Sequence, residues 1–340
     1  ARLAWATGYR IVHHIDYAVS QNNNHALSEA CGLMLIARLF PEFRDAAAWE
    51  SAGRRVLESA MRRQVYSDGS YVQHSMNYHR VMLQVCTLAL RIAELGGRPL
   101  PRDLNERPAR AADFLLEMTD ESTGRAPNYG NNDGAWVLPL GETHFADHRG
   151  AIQSAYFLAR RELPLPAGIW DEETLWIHGA QALAAPRRLG ARETCAFPAG
   201  DYYTIRRCDS WAMIRCHTYR DRPGHYDPLH LDLWWKGTNI LCDRGTYRYY
   251  NPRDAALENA FCSLSAHNTV EVDDVCRSGG SVDSFSHHSR DVKARPLWMA
   301  SAPRRPGQGI RLITTVRHGG SSTGERSLPS VRRSGSSSTI

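Results

Sequence analysis

The 340-residue sequence holds no unbroken run of about 18 apolar residues, the length a membrane-spanning helix needs, so membrane insertion is not expected. Residues 1–20 lack the basic, apolar and small-residue order of a secretory leader. The eight cysteines (Cys31, Cys86, Cys195, Cys208, Cys216, Cys242, Cys262, Cys276) include no pair at CxxC spacing. That argues against a zinc ribbon or a disulfide framework, and the eight read as buried thiols. A large excess of one charge is also missing, because 41 basic residues face 36 acidic ones for a formal +5, with the signs interspersed. Such a balance gives a weak preference for anionic partners and is far from the basic face of a nucleic-acid binder.

What is present is 42% apolar residues, enough for ordinary cores in a chain long enough for two domains. From Leu27 to Leu183 the apolar positions recur at helical spacing. Val81, Val85, Leu88, Ile92 and Leu95 line one face until Gly96-Gly97; Trp49, Val56, Leu57, Ala60 and Met61 make a second helix, and Leu27, Cys31, Met34 and Leu35 a third. Further helical runs fall near 107–118, 147–160 and 171–184, separated by loops rich in Pro, Gly, Asn and Asp, a pattern of helical hairpins packed side by side. After Pro186 the period shortens. Tyr203, Ile205, Trp211, Met213 and Arg215 sit in short strand-like runs. Leu231, Leu233 and Trp235 alternate with His230, Asp232 and Trp234, then Lys236-Gly237 leads into Ile240-Leu241-Cys242 as a β-hairpin. The expected class is α+β and multidomain: a helical domain over 1–190, an antiparallel β domain over 191–300, and a low-complexity Arg, Ser, Gly and Pro tail over 301–340 that is expected to be poorly ordered.

Polar density marks the candidate sites. Gln21-Asn22-Asn23-Asn24-His25 precedes an apolar helix, where such side chains ordinarily cap free NH groups. Gln73 to Arg80 surrounds Tyr78 at the start of the strongest helix, a place where a tyrosine is ordinarily a half-buried aromatic. Pro127 to Gly134, with Asn131 and Asn132, has the composition of a turn. In the β region, His225, Asp243 and His267 are imidazole and carboxylate groups of the kind that hold zinc, although their spacing alone is no metal signature.

Taken together these clusters resemble the heparinase II/III-like polysaccharide lyases over most of 20–275. The resemblance is carried by Asn24-His25 with Glu29 to Leu33, by Asp68-Gly69-Ser70-Tyr71 with Ser75 and Tyr78-His79, by Arg222 to Asp227 with Leu231 to Trp235, by Asp243 to Tyr247, and by His267-Asn268-Thr269-Val270. It implies an incomplete α/α toroid followed by a partial antiparallel β-sandwich, with the family's opening helices and part of its sandwich missing. It implies cleavage of a uronate-containing acidic polysaccharide by β-elimination. Asn24 and His25 would neutralise the uronate carboxylate, Tyr78 would be the base, and Tyr247, Tyr249 or Tyr250 the acid. His79, Asn131 and Asn132 would bind substrate, and His225, Asp243 and His267 would hold a structural divalent metal, zinc in kind, with no organic cofactor. A periplasmic or extracellular bacterial location fits the same resemblance, and oligomeric state is left open. Where some members place a further catalytic histidine, two residues before the first metal histidine, this chain has Pro223. Two rival readings are a glycoside hydrolase using Asp133 and Glu29, and a polysaccharide-binding or exopolysaccharide-assembly protein with a decayed site.

Overall fold

The computed structural model describes residues 1–216, 225, 227, 229–246, 260–261, 263–270 and the strands 292–296 and 312–316. Seven α-helices come first among these residues: α1 (Arg2–Ser20), α2 (Asn24–Leu39), α3 (Ala46–Gln64), α4 (Met76–Leu95), α5 (Arg102–Glu117), α6 (Arg149–Arg160) and α7 (Asp171–His178). Five short strands follow, β1 (Ala196–Phe197), β2 (Tyr202–Arg207), β3 (Ser210–Arg215), β4 (Leu231–Trp235) and β5 (Thr238–Leu241), paired antiparallel in sequence order. The α+β class expected from the change of period is the class observed. Strands β6 (Val292–Pro296) and β7 (Leu312–Val316) form a separate antiparallel pair, so part of the segment expected as a tail carries a strand.

Consecutive helices pack on one another, α1 on α2, α2 on α3, α5 on α6 and α6 on α7, as hairpins side by side. At the centre lies α4, which touches α2, α5 and α6. It is buried on nearly every face from Met76 to Leu90, not only along the stripe of Val81 and Val85. A helix enclosed on all sides must carry its polar residues inside, and each then needs an internal partner. Expected as one helical run, 171–184 breaks at Gly179, whose φ of +88 ends α7 before a single 3-10 turn over Ala180–Ala184.

The hairpin between β4 and β5 turns at Lys236 and Gly237, both with positive φ (+48 and +76), the backbone that a two-residue hairpin loop requires. On β4 the buried parity is the polar one. Asp232 and Trp234, continuing from His230, face inward, whereas Leu231 and Leu233 are half-buried and Trp235 is exposed. Among the cysteines, Cys31, Cys86 and Cys216 are buried as expected, but Cys208 and Cys242 are exposed because they sit on a turn and past the end of an edge strand. Cys262 and Cys276 lie outside the described residues.

One core joins the helices to the sheet. Phe197, Tyr202, Trp211, Met213 and Trp234 pack in the same cluster as Leu27, Met82 and Phe114. Phe114 meets Phe197 and Tyr202 edge-on at 4.9 and 5.1 Å. Asp68 ties the two parts: its Oδ1 accepts from Ser70 N and Oγ (3.0 and 2.6 Å), and its Oδ2 accepts from the backbone NH groups of Ala199 and Gly200 (2.6 and 3.1 Å). Asp68→Ala removes all four hydrogen bonds and leaves two NH groups at the junction unmatched. We expect a loss of roughly 3 kcal/mol in denaturant unfolding, with Asp68→Asn intermediate; an unchanged midpoint would show that the junction is held by the apolar core alone.

Candidate active site

Two helix starts and one loop meet at the same end of the helical layer. At the start of α2, Asn23 rather than Asn24 is the cap, its Oδ1 accepting from His25 N at 3.0 Å. Asn24 is the first helical residue, and its backbone NH donates to Gln73 Oε1 at 2.9 Å. Gln73 is held in turn by the Tyr71 hydroxyl at 3.1 Å, so the start of α2 is fastened to the segment that leads into α4. The His25 side chain is exposed, and Glu29 lies one turn further along the helix. Burial raises the Glu29 carboxyl above its usual range, against the pull of His25 and His14.

At the start of α4, Ser75 is the cap, its Oγ accepting from Tyr78 N at 3.1 Å while donating to Asn131 O at 2.5 Å. Tyr78 therefore sits in the first turn with its ring buried. Its hydroxyl donates to Asp133 Oδ2 at 2.8 Å. The other oxygen of Asp133 accepts from Ala135 N at 3.1 Å, which fixes the carboxylate in a local turn.

The loop from Met118 to His148 is held by side chains of α4. Arg80, almost fully buried, donates to Asn77 Oδ1 at 2.7 Å and to the carbonyls of Phe145 and Ala135, with its guanidinium over the rings of Phe145 and Trp136 at 4.4 and 5.2 Å. Gln84 makes a reciprocal pair with Leu138 (3.0 and 3.3 Å) and also donates to Glu173 Oε2 at 2.9 Å. Met76 N donates to Tyr129 O at 3.1 Å, and Gly130 has φ +75 with the space of a Cβ taken by His74 O. No other residue type fits that approach. What composition marks as a turn is the hub of the site.

The same loop reaches the sheet. Asn132 N donates to Thr246 Oγ1 at 3.1 Å, and that oxygen lies 3.4 Å from His225 Nε2. His225, Asp243 and His267 are all buried, and one ligand atom from each lies within 4.8 Å of the others. Asp243 accepts from Gly245 N at 2.7 Å through Oδ1 and faces His267 Nδ1 at 2.8 Å through Oδ2. That pairing holds the Asp243 carboxyl below its ordinary range against the opposing cost of burial, and raises the imidazole of His267. The Nε2 of His267 is buried without a hydrogen-bond partner. Two imidazoles and a carboxylate brought this close, with a ring nitrogen left over, fit a divalent cation of zinc type.

His79 does not join the substrate-facing set. Its ring is buried, stacked on Phe114 at 4.9 Å, with Nε2 bonded to Ala111 O at 2.8 Å, because α4 is enclosed at the turn where His79 points. Tyr247, Tyr249 and Tyr250 lie outside the described residues. Asp133, considered in the sequence only as a hydrolase carboxylate, is the partner of Tyr78. Only contact across 55 positions reveals it.

Burial keeps several histidines neutral. It lowers His79 to about 4 against the bond to Ala111 O, and His178 to about 4 against the bond to Ser154 O. Their folded pKa values lie below the unfolded one, so their contribution is complete above pH 6.5 and is lost as pH falls toward 4, about 3 kcal/mol each. Glu173 acts with the opposite sign, since burial raises it to about 7 and its cost grows as pH rises from 4.5 to 7. Burial also lowers His74 and His148, against no opposing partner strong enough to restore them, so the histidine loss exceeds what Glu173 offsets. Unfolding free energy from denaturant titrations is expected to fall by at least about 3 kcal/mol between pH 6.5 and pH 4, and a flat profile would show that these rings gain protons without unfolding.

The fold is a helical layer joined to an antiparallel β-sheet, and comparison with known proteins finds relatives of it. Residues 8–133 match the family described as Heparinase II/III N-terminus, and residues 190–325 match Heparinase II/III-like, C-terminal. The chain belongs to the heparinase II/III-like family. Among curated proteins it is similar to a heparin-sulfate lyase of Bacteroides stercoris, 36% identical over 270 residues, and to one of Bacteroides thetaiotaomicron, 24% identical over 276 residues. Each match covers 76% of this chain but only 37% and 38% of the relative, so the chain spans well under half of either length. Among solved structures, a heparinase III overlays with TM-score 0.58 at 20% identity, covering 77% of this chain and 39% of that one. A heparan sulfate lyase mutant from Pedobacter heparinus overlays with TM-score 0.56 at 19% identity, covering 84% and 41%. These two show the fold.

Proposed function

We propose that this chain carries the site of a polysaccharide lyase that cleaves uronate-containing acidic polysaccharide by β-elimination, with sulfated polysaccharide of the heparan type as the first substrate class to test. The supporting observation is the Tyr78 hydroxyl, set in a helix first turn and bonded to Asp133, beside an α2 start that Gln73 fastens to the same segment. Asn24 and His25 direct donors at the uronate carboxylate, where enediolate charge develops as the C5 proton leaves. A free tyrosine ionises near about 10, so a neutral Tyr78 needs an acceptor for its own proton. Asp133 is that acceptor: the Tyr78 oxygen takes the C5 proton while the phenolic proton passes to Asp133. The C5–H electron pair becomes the C4–C5 double bond, and the C4–O bond breaks. The departing oxygen takes a proton from a general acid, for which Tyr247, Tyr249 and Tyr250 are the candidates.

His225, Asp243 and His267 would hold a zinc-like ion with a structural part to play, since the three come from the residue before the hairpin strands, the strand end after them and a later turn. Thr246 then links this centre to the 128–133 loop. The relatives' names favour a lyase over a hydrolase built on Asp133 and Glu29, and over a protein that only binds polysaccharide. The separating test is a screen of heparan-type, alginate-type and bacterial acidic polysaccharides. A lyase yields ultraviolet-absorbing unsaturated ends, a hydrolase yields reducing ends without that absorbance, and a binder yields neither.

A further inference from the structure

Behind the metal-type triad lies a second buried pair that no role above uses. His230 is fully buried, and each ring nitrogen faces a carboxylate: Nδ1 lies 3.6 Å from Asp243 Oδ2, and Nε2 lies 3.8 Å from Asp232 Oδ2. Neither nitrogen has a hydrogen-bond partner, and neither does Asp232 Oδ2. Asp232 is itself fixed, because its Oδ1 accepts from Trp234 Nε1 at 2.5 Å and the Trp234 ring stacks on Trp211 at 5.5 Å. His230 is held from the other sides by Tyr129, with ring centroids 5.2 Å apart, and by the edge-on ring of His267 at 5.8 Å. A row therefore runs Trp234, Asp232, His230, Asp243, His267 through an interior from which water is excluded.

Buried polar groups a few tenths of an ångström beyond bonding distance are costly unless some state of the protein brings them together. In the arrangement observed, Asp243 Oδ2 is occupied by His267. A cation taken up by the triad would compete with that bond. His230 is then the side chain left to hold the carboxylate. We propose that His230, backed by Asp232, is a positioning residue that orients Asp243 for metal binding. The inward parity of β4 is what delivers it: His230, Asp232 and Trp234 occupy the positions that would otherwise fill with apolar side chains. The inference rests on the metal reading of the triad, and outer partners of metal ligands typically change affinity by about 10- to 100-fold.

The test is zinc affinity of the full chain, measured by competition with a chromophoric chelator, with unfolding temperature followed in the absence and presence of zinc. His267→Ala is the control for the site. His230→Ala is expected to weaken zinc binding by about 10- to 100-fold, and Asp232→Asn, which keeps the shape of the side chain, by about 10-fold. His230→Gln, whose amide can still donate to Asp243, is expected to stay within a few-fold of the parent. No zinc binding by the parent, or equal binding by parent and His267→Ala, removes the metal reading and this role with it. Zinc binding lost only in His267→Ala, with His230→Ala and Asp232→Asn matching the parent, overturns the positioning role while leaving the metal site in place. If His230→Ala does not fold, Asp232→Asn decides alone by the same criterion. A variant that is less stable without zinc yet binds zinc at parental affinity marks the pair as packing only, which also overturns the proposal.

Discussion

Tyr78→Phe is expected to lower turnover by about 10²–10⁴ while leaving substrate affinity within a few-fold. The change deletes one oxygen from a ring that stays buried in the first turn of α4, so the packing is kept while the bond to Asp133 disappears. Asp133→Asn separates two parts within that bond. An amide oxygen can still accept from the Tyr78 hydroxyl and hold its direction, but it cannot take a proton at neutral pH. Rate loss in Asp133→Asn close to that of Tyr78→Phe is the expected result. Full rate there would make Asp133 a mere orienting group and would require Tyr78 to work as a phenolate. Asn24→Ala should differ from both, weakening binding and rate together, because a donor that stabilises the enediolate also touches the ground-state carboxylate. If Tyr78→Phe keeps full formation of unsaturated product, Tyr78 is a packing residue and the base lies elsewhere.

The second large effect expected is on stability. A zinc-like ion bound only by the folded chain adds about 4 kcal/mol when its free concentration is about a thousand times its dissociation constant. Chelation of the zinc-loaded chain should therefore lower the unfolding temperature by many degrees, whereas Asp243→Ala should show no response to chelator. The reason is geometric: His225, Asp243 and His267 join separate segments of the β region, and the Thr246 contact carries that constraint to the loop of Asn131 and Asn132. Identical thermal curves with and without zinc, in parent and Asp243→Ala alike, would remove the metal from the account.

Periodicity made α4 legible, because Val81, Val85 and Ile92 recur at helical spacing, and a composition rich in turn residues located the breaks between helices. It did not reveal that α4 is enclosed on nearly every side. Reading His79 as a substrate-facing residue failed for that reason: a polar side chain near a helix start looks the same in sequence whether it faces solvent or Phe114. The alternation on β4 was visible, but the side facing the core is the polar one, since His230, Asp232 and Trp234 meet partners from Asp243 and Trp211 that lie far away or on another strand. Nothing in the spacing of His225, Asp243 and His267 joins them; only the resemblance to a family did so, and the fold then places them side by side. Likewise Pro127 to Gly134 has the composition of an ordinary turn, and its importance comes from what it touches: Ser75, Tyr78 and Thr246.

Cleavage in heavy-oxygen water tests the central claim most directly, because elimination and hydrolysis differ in whether a water molecule enters the products. The chain is incubated with an acidic polysaccharide that it shortens, and the fragment masses are compared with those from ordinary water. β-Elimination predicts fragments whose masses sum to that of the substrate, one new end carrying a C4–C5 double bond and no heavy oxygen at either new end. Fragments that have gained one heavy oxygen per cleavage, with no unsaturated end, would contradict a lyase and return Asp133 to the role of a hydrolytic carboxylate.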